Sequence, residues 1–220
     1  MIGGQISTTE MSVLIIRNLR DVDAAAKLLY FDIQTKVGAE MDRCAKEWAD
    51  SAGWVGEYAL AKDETICFGP KGWRAPGSGS KKELFRARFH FQSGEGDDWN
   101  HELDYFWLTR LCQAGNGVVG FRWLYDLNQI GASKRDWKNF VGLHVPSIKQ
   151  AGFEYEEKNA NFFTPFCIDQ EELAKCFQGG VIADSMKPMR DALNRLHSAQ
   201  PLFDDLLSQA AKKFGNGGTA

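Results

Sequence analysis

Between Phe89 and Phe106 the chain runs FHFQSGEGDDWNHELDYF, and five carboxylates (Glu95, Asp97, Asp98, Glu102, Asp104) fall there beside two histidines (His90, His101). Side chains of these types bind divalent cations or exchange protons. A calcium loop needs oxygen ligands at alternating positions and a glycine at the sharp turn. Here Asp97 and Asp98 are adjacent and Trp99 breaks the alternation. A zinc site needs convergent ligands, but His101 and Glu102 would point apart on a strand, and the H-x-E and P-C-x-x-C pair of zinc deaminases is missing. The stretch reads as a solvated hairpin loop, and no metal or cofactor is assigned to it.

Two further constellations carry chemistry. Lys71, Arg74, Lys81, Lys82, Arg86 and Arg88 oppose only Glu83, whereas residues 95–104 are uniformly acidic. Lysines and arginines around a Gly/Pro-rich loop that carries Trp73 could neutralise phosphates while Trp73 or Phe106 stacks on a base, so the 71–88 segment is a polyanion candidate. Glu156 and Lys158 form an E-x-K on an expected strand, the minimal signature of one nuclease superfamily. A carboxylate there holds a metal and the lysine helps activate water, with Asp126 or Asp104 as the second acid. Nucleophilic catalysis has no foothold: G-x-S-x-G and the phosphate-binding G-x-x-x-x-G-K are both absent.

The elements that would position these groups follow from periodicity. SVLIIRNL (12–19) is apolar enough for a strand or a helix turn. Leu29, Ile33, Val37, Met41, Cys44 and Trp48 recur at helical spacing, giving a helix over about 21–50 that SAGW stops with its glycine. The period then becomes two. WVGEYALA, TICFG, LFRARFHFQ (84–92), ELDYFWLTRL (102–111) and VVGFRWLYD (118–126) predict a five-stranded antiparallel meander.

Parity proposes the register. With Gln92 facing Glu102, His90 faces Asp104, Arg88 faces Phe106 and Arg86 faces Leu108. Next, Leu111 faces Val119, Thr109 faces Phe121 and Trp107 faces Trp123. One sheet face is then apolar (Phe85, Phe89, Phe91, Leu103, Tyr105, Trp107, Val119, Phe121, Trp123, Tyr125) and should carry the first helix. The other mixes Arg86, Arg88, His90, Asp104, Arg110 and Arg122 with Leu84, Phe106, Leu108 and Leu124. His90–Asp104 is the expected polar pair. Phe106, Leu108, Arg110 and Arg122 are partner-face candidates.

Beyond 126, Ser133 with Asp136 and Asp169 with Glu172 are helix caps. Residues 153–168 predict a hairpin around EKNAN. Helices follow over 186–198 and 202–214, restarted at Pro201. The expected organisation is a polar lead-in (1–11), an α+β domain (12–180), a C-terminal helical hairpin (181–214) and a frayed tail (215–220).

Composition bounds the function. A net charge of −3 excludes a global pull toward nucleic acid or anionic membrane. Five cysteines without C-x-x-C spacing suit a reducing cytoplasm, and no apolar run is long enough to span a bilayer. These features predict a non-enzymatic cytoplasmic binding or regulatory protein that meets a protein partner or a second copy. Contact of the 71–88 segment with nucleic acid is kept open. The alternative is a metal-dependent phosphodiester-cleaving enzyme built on Glu156, Lys158 and a strand carboxylate.

Overall fold

A helical rod opens the chain. In the computed structural model, which describes residues 7–74, 85–93, 106–115 and 117–215, α1 (Thr8–Arg17) starts at a Ser7–Glu10 capping box. It passes through Asn18 into α2 (Leu19–Lys27), a π-wound segment (Leu28–Ile33) and α3 (Gln34–Ala52). The segment left open between strand and helix is therefore helical, and order begins before residue 11. Gly53 ends the rod in the left-handed conformation at φ 70°, which glycine adopts without a Cβ penalty.

The remaining elements alternate. They are β1 (Trp54–Ala59), α4 (Leu60–Asp63), β2 (Thr65–Pro70), β3 (Ala87–Ser93), α5 (Trp107–Leu111), β4 (Val119–Tyr125), α6 (Leu127–Ile130), α7 (Lys134–Gly142), α8 (Val145–Gln150), β5 (Glu154–Glu156), β6 (Asn161–Phe166), α9 (Gln170–Gly179) and α10 (Lys187–Phe214). The fold is α+β. Its six strands form one antiparallel sheet in the order β1-β2-β3-β4-β6-β5. The hairpin around EKNAN is present, and it joins the same sheet through β6. Ser133 and Asp169 cap α7 and α9 by accepting from the backbone N–H groups of Asp136 (3.1 Å) and Glu172 (2.8 Å).

The meander is corrected in one place. β3 pairs directly with β4, placing Phe89 on Trp123, Phe91 on Phe121 and Arg88 on Leu124. Residues 107–111 are not a strand but a short helix, with Leu108 and Leu111 buried one turn apart. The pairings of Arg88 with Phe106, Arg86 with Leu108 and Trp107 with Trp123 do not form. Parity could not choose the neighbour: β4 offers β3 the same alternation of aromatic and polar residues as 102–111. The position of Asp104, like Leu84, Leu103 and Tyr105, lies outside the described residues.

The apolar face forms as expected, and the long first helix shares its cover with the C-terminal helix. One aromatic row crosses the sheet as Phe68, Phe89, Trp123, Phe162 and Tyr155 on neighbouring strands. Phe203 of α10 sits over it, with ring centroids 5.4 Å from Phe89, 5.0 Å from Trp123 and 5.8 Å from Phe162. α3 packs at the β1 end, where Trp48 meets Trp54 edge-on at 5.1 Å. The Asp42 carboxylate of α3 accepts the N–H groups of Leu60 (2.7 Å) and Ala61 (3.1 Å), tying α4 down.

The expected break at Pro201 is also corrected. Lys187–Phe214 is one helix with Pro201 inside it. Proline removes one backbone hydrogen bond and crowds the preceding turn. The buried stripe nevertheless runs through it without a phase change, as Met189, Ala192, Leu193, Leu196, Ala199, Phe203, Leu206, Leu207 and Ala210. Burial of that stripe outweighs the local defect. Phe203→Ala should cost about 4 kcal/mol in urea unfolding, within a single transition for the whole protein. A separate early transition confined to the helix would mean that α10 is an appendage.

Candidate interaction surface

On the polar side of the sheet the register builds a second row across all six strands: Glu57, Cys67, His90, Arg122, Phe163 and Glu154. His90 therefore lies between Cys67 and Arg122. The expected His90–Asp104 pair has its acidic half outside the described residues, and both sheet positions beside His90 are taken. Arg122 is 5 % exposed and is held from every side. Its Nε and Nη2 donate to the two oxygens of Glu156 at 2.7 Å each, Nη1 donates to Gln92 Oε1 at 2.6 Å, and Nη2 also donates to the Ser93 carbonyl at 2.8 Å. The guanidinium also lies 5.4 Å from the centre of the Phe163 ring.

This arrangement gives the E-x-K carboxylate a structural task. Glu156 spends both oxygens on a bidentate pair with a buried arginine, the strongest geometry open to it. Asp126 caps α6 by accepting from the N–H groups of Asn128 (2.9 Å) and Gln129 (3.4 Å). Lys158 lies in the turn between β5 and β6. Among the described residues no three His, Cys, Asp or Glu side chains converge as a metal site requires.

The basic segment is also rearranged. Trp73 is 2 % exposed, packs on Phe89 and Phe203, and donates its indole N–H to Asp204 at 2.6 Å. It cannot stack on a base. Arg86 donates to the Gly72 carbonyl at 2.9 Å, Arg74 and Arg88 are half-buried, and Lys71 is exposed. Lys81 and Lys82 lie outside the described residues. Of the partner-face candidates, Arg122 alone is on the sheet. Leu108 is buried in α5, Arg110 of the same helix donates to the Ser93 hydroxyl, and Phe106 precedes it half-buried.

The surface that sequence reasoning missed is the start of the rod. No residue of α1, α2 or the π-wound segment is buried. Met11, Val13, Leu14, Ile15, Ile16, Leu19, Val22, Leu28, Tyr30 and Phe31 are 40–70 % exposed, whereas among the other described large apolar residues only Leu143 and Val181 are exposed. α1 and α2 make substantial contact only with each other and with the winding that follows. The signal was present in MSVLII, which is apolar on several sides of a helix. Such a segment is normally buried against something.

No helix among the described residues is long and apolar enough to cross a membrane. No protein-family model, curated protein or solved structure matches this chain.

Two outcomes follow from the polar row. Glu156→Ala leaves a buried cation without its counter-ion and should cost about 3 kcal/mol in chemical unfolding, with Glu156→Gln milder because it keeps one acceptor. Burial, and then the Arg88 and Arg122 cations, pull His90 down to about 4. The unfolded imidazole titrates near ~6.5, so between these values the unfolded chain binds a proton that the folded one refuses. The stability conferred by neutral His90 is complete above that upper value and lost as pH falls toward the lower one. The loss should be about 3 kcal/mol, and a His90→Gln variant should show a correspondingly shallower fall. Identical slopes for the two proteins would refute this.

Proposed function

We propose that this chain is a non-enzymatic cytoplasmic regulatory or assembly protein that engages a protein partner through its N-terminal helical arm, residues 8–31. The exposure of ten large apolar side chains between Met11 and Phe31 carries this reading. Single exposed apolar residues are ordinary on a monomer, whereas a concentration of them marks an interaction site. The five cysteines are all free, which suits a reducing compartment.

Charge supports a protein partner over a polyanion. Residues 8–32 carry Arg17, Arg20 and Lys27 against Glu10, Asp21, Asp23 and Asp32, so the arm carries no net positive charge toward phosphate. In the 71–88 segment the burial of Trp73 takes away one of the two rings a nucleic-acid platform could use, and weighs against that reading.

Ile16 and Phe31 are 67 % and 70 % exposed, so changing both to Glu should shift stability by no more than about 0.5 kcal/mol each. The same change should remove the chain from any larger complex resolved by size in source-cell extract. An unaltered complex would defeat this reading, as would wild-type protein running as a lone monomer.

A further inference from the structure

One backbone contact brings two free cysteines together. The Ile168 N–H donates to the Leu111 carbonyl at 3.0 Å. That carbonyl belongs to the peptide group entering Cys112, and that N–H to the peptide group leaving Cys167. Each cysteine Cα is therefore bonded directly to one of the two hydrogen-bonded groups, which keeps the pair within about 8 Å of each other. A disulfide spans Cα atoms ~4.4–6.8 Å apart, so closing one here takes a small shift at most. The backbone at both places stands between elements. Cys112 is the C-cap of α5 and leads into Gln113 at φ 50°. Cys167 lies between the end of β6 at Phe166 and the α9 cap at Asp169. We propose that Cys112 and Cys167 form a reversible disulfide, driven by hydrogen peroxide, that fastens the end of α5 to the β6–α9 junction. It is independent of any role for the N-terminal arm.

The side chains agree with the backbone. Phe166 and Ile168 are buried while Cys167 between them is exposed, and Cys112 is half-buried beside buried Leu111. Leu111 and Ile168 thus take the inner side of the contact, and the thiols are left the outer one. Burial pushes the Cys112 thiol up, and the Asp169 carboxylate and then the Cys167 sulfur push it further, so the two thiols lie close enough to feel each other. Cys44, Cys67 and Cys176 sit on α3, β2 and α9, and no second cysteine is among the groups that act on their thiols.

In a reducing compartment a protein disulfide is usually transient and senses redox state. Exposure sets the order of the steps. Cys112, half-buried and held protonated, is the poorer target for peroxide, so Cys167 reacts first. Its sulfur attacks one peroxide oxygen; the O–O bond breaks, an S–O bond forms, and the departing hydroxide takes the thiol proton as water. The Cys112 sulfur then attacks the sulfenic sulfur. The S–S bond forms, the S–O bond breaks, and hydroxide leaves with the Cys112 proton as a second water. The two thiols lose two electrons, and the peroxide gains them.

The test treats the full chain with a limited dose of hydrogen peroxide, blocks remaining thiols with iodoacetamide and maps the peptides by mass spectrometry. Wild type should yield a linked pair of peptides, Cys112 with Cys167, within a single chain. Millimolar reduced glutathione should restore both thiols. The closed form should unfold at a higher temperature, because the bond closes a long loop of the chain. With Cys112→Ser, Cys167 should stop at the sulfenic acid and collect dimedone adduct several-fold above wild type. With Cys167→Ser, Cys112 should stay reduced at the same dose. Linkage through another cysteine, overoxidation of Cys167 in wild type without the link, or two thiols untouched by peroxide would each overturn the proposal. These wild-type outcomes decide it even where a variant fails to fold. A link that resists glutathione is a structural bond, and it removes the switch.

Discussion

The packing of Phe203 on the cross-strand aromatic row is the contact on which the rest of the structure depends. Each of β3, β4 and β6 places one ring of that row under α10, and Phe203 touches all three and also Phe153 at 5.3 Å. Rings of this size each bury a large apolar area, and their edge-to-face contacts add specificity. α10 contributes more than its apolar stripe. Indole N–H groups need acceptors when buried, and three are met by residues flanking that stripe: Trp48 donates to Asn194 at 2.9 Å, Trp54 to Gln200 at 3.0 Å and Trp73 to Asp204 at 2.6 Å. The helix thus satisfies α3, β1 and the turn after β2 at once, which is why a proline in its middle does not end it.

The sheet's opposite face shows how a conspicuous set of charges can be structural. Arg122 would be costly in so dry a place without partners, and it has a carboxylate, an amide oxygen, a backbone carbonyl and a ring. Close approach makes room for this: at Gly120 a Cβ would come within 2.3 Å of the Thr164 carbonyl oxygen and 2.8 Å of the Phe163 ring. The one buried cation on this row is held by partners of the same chain.

Much of the fold was legible because alternation and capping are local. Strands β1 to β4, the β5–β6 hairpin and the Ser133 and Asp169 caps each follow from a few neighbouring residues. The face to which Phe89 and Phe91 belong could also be read. What could not be read was which strand lies beside β3, because two segments of equal parity competed and the choice rests on long-range packing. Pro201 misled for a similar reason: a local penalty was visible, whereas the stripe that outweighs it needs the sheet to be in place. For the site, the residue types drew attention to 71–104. The exposed arm looked ordinary, since an apolar helix face reads the same whether its cover comes from its own chain or from outside.

The π-wound segment joins these two uses of one helix. Along the rod the apolar positions run Ile15, Leu19, Val22, Ala26, Leu29 and Ile33 in alternating steps of four and three. The next step of three would fall on exposed Lys36; instead the stripe resumes at buried Val37 and continues through Met41, Cys44 and Trp48. One residue too many has been inserted, and the i→i+5 bonding of Leu28–Ile33 is how a helix absorbs a single extra residue without losing its face. The sequence therefore keeps a single apolar seam along the whole rod across a defect that would otherwise rotate half of it away. Its C-terminal half meets the sheet of the same chain. A seam kept in phase beyond the point where that sheet ends has physical meaning if something covers the other half.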